Sequence, residues 1–518
     1  MVSDGISRRT VLTTGAAAAI VGAGVGAGGV ALLGAAHRGP TLWTRPTRSG
    51  AQPVGGLHLQ FGRDASTEVV VSWHTTDPVH NPRVMVGTPM SGFGRVVHAE
   101  TRTYRDAKSK TEVRVNHAVL DNLAADTDYV YAAVHDGADP ELGTLRTAPF
   151  GRKPFRFTSF GDQATPTLGR LKDNSYRSDN LGSPAAGDTT TAVERLGPLF
   201  NLVNGDLCYA NLADDRIRSW SDWFDNNTRS ARYRPWMPAA GNHENELGNG
   251  PVGYAAYQTY FALPDSGSDA ELRGLWYSFT AGSVRVISLS NDDVCFQDGG
   301  NFYVHGYSGG AQKRWLETEL AAARADQRID WVVVCMHQTA VSTADRTNGA
   351  DLGIRQVWLP LFDRYQVDLV VCGHEHHYER SHPVRGTQDS ETKTPIPADS
   401  RGDVIDTSKG TVHLVIGGGG TSAPSNTMFF PEPKCRVLTS VGQFDPAIGR
   451  KAPFYVVEEA PWSAFRDREN PYGFAAFDVD PGSAGGNTSI KATHYAVNGP
   501  YGAISVVEQF TLTRPRRG

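Results

Sequence analysis

Five short, largely apolar runs, each stopping at a residue able to bind metal, constrain this 518-residue chain more than any other feature. Phe155–Phe160 gives way to Gly161-Asp162, and Leu199–Asn204 to Gly205-Asp206-Leu-Cys-Tyr209. Trp236–Ala240 ends at Gly241-Asn242-His243-Glu244, Trp331–Cys335 at Met336-His337, and Leu369–Cys372 at Gly373-His374-Glu-His376-His377. Runs this short, bounded by turn residues, suit buried strands. Between them lies a helical pattern at 310–323, with Trp315, Leu316 and Leu320 on one apolar face. An open α/β sheet gathers ligands at the carboxyl ends of its strands. One Gly-Asp pair means little; five strand ends in series, closed by Gly-His-x-His, argue against chance. Residues two apart on an extended chain share a face, so His374 and His376 can face one pocket while His377 turns away. A glycine just past a strand lets the backbone approach an ion closely. Taken alone, 374–377 also reads as a surface loop rich in histidine.

The chain is too long for one ordinary domain. Its net charge of −5 makes no case for nucleic acid or an anionic membrane as partner. Five scattered cysteines without a CxxC pair argue against a thiolate zinc site and a disulfide framework. Cys335 and Cys372 fall in apolar runs and are expected in the core, whereas Cys295 and Cys435 lie in polar stretches and could pair after export. Ser7-Arg-Arg-Thr-Val-Leu12 followed by an uncharged Ala/Gly/Val run (15–36) resembles a twin-arginine signal. An uncleaved anchor is the alternative, but the many glycines make a poor helix. The expected organisation is a signal segment over 1–36, a linker over 37–52, a β-sandwich over 53–150 and a catalytic domain over 151–518. Strand-like runs at 69–74, 83–86, 112–119 and 129–134 support the sandwich. The stretch 120–131 resembles a fibronectin-type-III corner, in which a tyrosine after the turn bonds back to the loop. His58, His74, His80, His98, His117 and His135 lack ligand spacing and read as structural or surface residues.

Gly161-Asp162, Gly205-Asp-Leu-Cys-Tyr209, Gly241-Asn-His-Glu244, Val334-Cys-Met-His337 and Gly373-His-Glu-His-His-Tyr-Glu-Arg380 resemble the five blocks of the metallophosphoesterases. Tyr209 and the Tyr-Glu-Arg ending are similar to the purple acid phosphatase branch. The resemblance runs from about residue 53 to the C-terminus. It implies an α/β fold of two mixed sheets packed together and flanked by helices, preceded by a fibronectin-III-like sandwich. It further implies that Asp162, Asp206, Tyr209 and His376 hold a first metal, and that Asp206 bridges to a second held with Asn242, His337 and His374. His243 would face the substrate phosphate outside the metal shell. One position departs from the family: Ala164 stands where a second glycine is usual.

Two carboxylates and a phenolate suit Fe(III) at the first site; two imidazoles and an amide suit Zn, Fe(II) or Mn(II) at the second. Glu244, Glu375 and Glu379 are candidates to orient histidines from behind, with a solvated role equally open to Glu375. His243 is the candidate general acid, since no histidine lies between His337 and His374; His377 is second choice. Residues 387–409 read as a surface insertion close to the site. Val412–Ile416 runs into four glycines (417–420) that match no nucleotide loop. Runs at 474–479 and 489–497 are expected to close a second sheet, and the C-terminal arginines to fray. The expected function is an exported acid phosphatase in which a metal-bound hydroxide attacks phosphorylated small molecules, with the twin-arginine machinery as export partner and no span in the mature chain. A phosphodiesterase or alkaline-range phosphatase on this scaffold is the alternative, and a cell-surface binding protein with a vestigial site the remote one.

Overall fold

The computed structural model describes residues 52–166, 181–297, 304–447 and 450–517, with the backbone of 168–170 and 176–178. The twin-arginine segment and all but the last residue of the linker lie outside these residues. Alternating apolar positions along the N-terminal strands build a sandwich of two four-stranded sheets. One orders Gly55–Phe61, Val69–Thr75, Glu112–Leu120 and Glu100–Arg105; the other orders Arg95–His98, Arg83–Gly87, Asp128–Val134 and Glu141–Arg146. At the corner, the Tyr129 hydroxyl accepts the Ala124 N–H at 2.7 Å, the back-bond that the sequence predicts.

Beyond the sandwich, the chain is built on two mixed seven-stranded sheets. The first orders Trp236–Pro238, Phe200–Val203, Phe155–Phe160, Gly473–Asp480, Asn487–Val497, Ile504–Pro515 and Val404–Asp406. The second orders Tyr277–Ala281, Val284–Ser288, Trp331–Cys335, Leu369–Cys372, Val412–Ile416, Tyr378–Ser381 and Ser463–Arg466. Strand alternation explains how both faces are buried. Val333, Val371 and Leu414 pack toward Phe157 and Phe477 in a shared core, while Val332, Val334 and Val370 face Leu316, Leu320 and Trp358 on the helical side. The helix over Ala311–Ala325 buries Leu316 and Leu320 as its periodicity requires. The shared core extends into the sandwich through Trp73, Trp220 and Tyr260. Two buried sandwich histidines bond across this boundary, His58 to the Tyr260 carbonyl at 2.9 Å and His117 to the Thr259 carbonyl at 3.0 Å. Among the described residues, no helix is long and apolar enough to cross a membrane.

Four expectations need correction. The late strands Gly473–Asp480 and Asn487–Val497 join the first sheet, because Gly473–Asp480 pairs antiparallel with Phe155–Phe160. Residues 387–409 are not an irregular insertion throughout: Pro395–Pro397 pairs with Val384–Thr387, and Val404–Asp406 adds an edge strand beside Ile504–Pro515, at the opposite margin from Trp236–Pro238. The C-terminus is anchored, with the Arg514 guanidinium donating to Asp368 at 2.6 Å and the Arg517 N–H to Asp330 at 3.0 Å. All five cysteines are buried free thiols, Cys295 and Cys435 included.

Candidate metal centre

The three parallel strands ending at Phe160, Val203 and Pro238 deliver Asp162, Asp206, Tyr209 and Asn242 from the first sheet. The strands ending at Cys335 and Cys372 deliver His337, His374 and His376 from the second. Asp162, Asp206, Tyr209 and His374 all adopt left-handed backbone, with φ of 55°, 51°, 57° and 71°. For residues other than glycine such conformers cost on the order of 1–3 kcal/mol each, and they cluster at functional sites. The surrounding hydrogen bonds hold them there. Asp162 accepts the His374 N–H at 2.8 Å, and buried Glu244 accepts the N–H groups of Asp206, Leu207 and Gly241 at 2.7–2.8 Å. The glycines permit this crowding: a Cβ at Gly373 would lie 2.3 Å from Asp162 Oδ2, and one at Gly241 2.3 Å from Asp206 Oδ1. Close approach is needed here between neighbouring ligand residues. Ala164 also sits at a φ of 48°, so the chain keeps the conformation that a glycine would favour.

Seven donor side chains converge in two groups. In the first, Tyr209 Oη lies 3.3 Å from Asp162 Oδ1 and 3.1 Å from His376 Nε2, and His376 Nε2 lies 3.3 Å from Asp162 Oδ1. In the second, His337 Nε2 lies 3.0 Å from Asp206 Oδ2, 3.0 Å from Asn242 Oδ1 and 3.1 Å from His374 Nδ1. Backbone carbonyls fix two of the rings. His337 Nδ1 bonds to the Asn204 carbonyl at 2.7 Å and His376 Nδ1 to the Ala423 carbonyl at 2.7 Å. A carbonyl can only accept, so each Nδ1 carries a proton and each ring turns its Nε2 toward carboxylate, amide and phenol oxygens. Oxygens and imidazole nitrogens gathered this closely need positive charge among them, a proton on Nε2 or a metal ion, so this donor set fits bound metal.

Electrostatics point the same way. Burial disfavours a charge on His337, yet the Asp206 and Asp162 carboxylates raise it to about 10. Burial likewise opposes ionisation of Asp206, but His337 and His243 hold its carboxyl well below the usual range. His374, buried beside His337, is pushed far down. The Tyr209 phenol is pushed far up by burial and then by Asp162 and Asp206. It loses its proton only to a strongly polarising cation.

His243 lies beside the donors, its Nε2 3.9 Å from Asp206 Oδ2 and its ring 4.4 Å from that of Tyr209. Its Nδ1 bonds to Asn211 Oδ1 at 2.9 Å. Burial pushes its pKa down, partly offset by Asp206. His377 turns away, held by Ser425 at 2.8 Å and Glu379 at 3.0 Å, and so lies outside the site. Of the three candidate orienting glutamates, Glu379 contacts a histidine, but it is His377. Glu244 clamps backbone N–H groups, and Glu375 is buried, not solvated, bonding to Thr347 Oγ1 and the Gly349 N–H. Sequence reading missed Asn204, whose side chain ties Ser159 of the first sheet to the Cys372 carbonyl of the second at 2.8 and 3.1 Å. It also missed the wall formed by 417–420, where a Cβ at Gly417 would lie 2.2 Å from the Glu375 carbonyl. The glycine run was the available signal.

Two mixed sheets with convergent donors at their strand ends define an α/β protein with a candidate metal centre. Residues 54–150 match the purple acid phosphatase N-terminal domain and residues 182–378 the calcineurin-like phosphoesterase family. Asp162 precedes the second match. An uncharacterized protein of Mycobacterium tuberculosis is 76% identical over 514 residues, covering 99% of this chain and 97% of that one. A purple acid phosphatase of Glycine max is 28% identical over 388 residues, covering 73% and 75%. The structure of a purple acid phosphatase from yellow lupin seeds superposes with a TM-score of 0.64 at 20% identity, over 90% of this chain and 75% of that one, a likeness of fold. The chain therefore carries a calcineurin-like phosphoesterase domain behind a purple acid phosphatase N-terminal domain.

Proposed function

We propose that the chain is an exported acid phosphatase that hydrolyses phosphate monoesters with two metals. The observation that carries this reading is the inward convergence of oxygens and imidazole nitrogens at 3.0–3.3 Å in two groups. Asp162, Tyr209 and His376 would hold the first ion, and Asn242, His337 and His374 the second. Asp206 would bridge them. Carboxylate and phenolate donors favour Fe(III) at the first position, while imidazoles and an amide favour Zn, Fe(II) or Mn(II) at the second. Bound there, the pair would neutralise phosphate charge and acidify water for in-line attack on phosphorus.

The chain's own residues supply the rest. The Ala423 and Asn204 carbonyls hold two imidazoles in the tautomer that points Nε2 inward. Glu244 fixes the turns that carry Asp206 and Asn242. His243, steadied by Asn211, is placed to meet the phosphate and to protonate a poor leaving group. Burial lowers its pKa, so it gives a proton up more readily and takes one only toward lower pH. Export rests on the resemblance of residues 7–36 to a twin-arginine signal. The test is a metal analysis and visible spectrum of purified protein, with a monoester and a bis-ester assayed across pH. Two metals per chain including iron, a visible charge-transfer band and preference for the monoester at acidic pH are expected. Colourless, iron-free protein with two metals bound refutes the iron assignment, and preference for the bis-ester refutes the substrate class.

A further inference from the structure

The two loops that flank His243 are both tied to a single turn of the N-terminal sandwich. That turn, 106–110, is closed on itself: the Lys110 N–H donates to the Asp106 carbonyl at 2.9 Å and the Ser109 N–H to the Asp106 carboxylate at 2.6 Å. Asp106 is fully buried, and its Oδ1 accepts from Arg216 at 3.4 Å and from Asn249 at 3.3 Å, both in the catalytic domain. The Ala107 N–H donates to Asn249 Oδ1 at 2.7 Å, and Lys108 Nζ donates to the Ala213 carbonyl at 2.7 Å. A Cβ at Gly248 would lie only 2.8 Å from that of Ala107, so the fit is close.

These contacts lead to the site along two short routes. Asn249 Nδ2 also donates to buried Glu246 at 2.6 Å, whose other oxygen takes the Trp220 indole N–H at 2.6 Å. Glu246 lies three residues beyond His243, just after the short 3₁₀ turn Asn242–Glu244. On the other side, Ala213 lies two residues after Asn211, the partner of the His243 ring, and Arg216 opens the helix Arg216–Ala231 that ends this loop. Neither loop owes its position to the catalytic domain alone.

We infer that the sandwich turn 106–110 positions the His243–Asn211 pair, making the N-terminal domain a working part of the active site. Asp106 and Lys108 are positioning residues, acting through the 209–216 and 241–249 loops. The inference rests on the role proposed above for His243. A displacement of about 1 Å in a catalytic group can cost on the order of 10²-fold in rate, so modest loosening should be measurable.

The test uses full-length, metal-loaded protein carrying Asp106→Asn or, because a buried change can impair folding, the exposed Lys108→Ala. Amide hydrogen exchange in peptides spanning 209–216 and 241–249 should accelerate about tenfold or more in both variants, with the second sheet unaffected and metal content unchanged. Turnover of an alkyl phosphate should fall by about tenfold, and the same change in a His243→Ala background should cost little more, since residues acting through one group are non-additive. Unchanged exchange in both loops overturns the inference. So do losses that add in full to those of His243→Ala, or lower thermal stability with kinetics intact. If His243→Ala itself leaves alkyl phosphate hydrolysis intact, the role of His243 falls separately. Exchange confined to the two loops then still decides the positioning claim.

Discussion

The two donor groups are made by the same local device and yet differ in charge. Each takes residues from strand ends of both sheets and uses left-handed backbone to turn them inward. The first group, Asp162, Tyr209 and His376, combines a carboxylate and a phenol, and its histidine side chain is 20% exposed. In the second, Asn242, His337 and His374 are neutral donors beside the Asp206 carboxylate, and the His337 side chain is completely buried. Asp162 and Tyr209 are buried as deeply as Asn242 and His374, so the groups differ in charge, and among these donors His376 alone reaches solvent. His337 beside two carboxylates and the buried Tyr209 phenol both keep their protons until a cation replaces them, the phenol needing the stronger one. Such asymmetry suits two different ions better than a matched pair.

Asp206 belongs to both groups in the proposed arrangement, so its loss breaks the comparison most severely. Asp206→Asn should weaken both ions and lower kcat/KM by about 10³-fold or more. Two metals per chain with near-normal turnover, by metal analysis and steady-state assay, would rule the bridge out. His243 stands beside both groups, and in the proposed mechanism it meets the leaving group. His243→Ala should slow an alkyl phosphate on the order of 10²-fold more than an aryl one, because an alkoxide needs a proton and a nitrophenolate hardly does. Equal losses on the two substrates would leave His243 as a phosphate binder.

Tyr209→Phe sharpens the difference between the groups. It should abolish the visible band and shift turnover by less than about tenfold, while the second ion stays bound. A band that survives the substitution refutes phenolate ligation. The smallest effect belongs to Ala164, buried at a φ of 48°. Ala164→Gly relieves a left-handed alanine but gains unfolded-chain entropy, for a net stabilisation of about 1 kcal/mol or less. Thermal unfolding at fixed metal content measures it, and a lowered Tm would show that the methyl group's packing outweighs the backbone strain.

The candidate donors and their order along the chain were legible because each is local: an apolar strand, a glycine where neighbours crowd, then a donor. The tyrosine corner at Tyr129 was legible for the same reason. Other features depend on partners far apart in sequence, which no local pattern encodes. Gly473–Asp480 reads as a strand anywhere, but only pairing with Phe155–Phe160 assigns it to the first sheet. Arg514 looks like a frayed tail until folding brings it to the buried Asp368 carboxylate, 146 residues away. Glu244 looks like a partner for histidine, yet its carboxylate lies against three N–H groups on two different turns. The turn at Asp106 carries no motif at all, and its link to His243 arises because the sandwich and the catalytic domain share one buried core. Sequence thus determined which side chains could hold metal. The tertiary structure decided which donors face each other and what holds them, because burial and charge pairing follow distance in space and not separation along the chain.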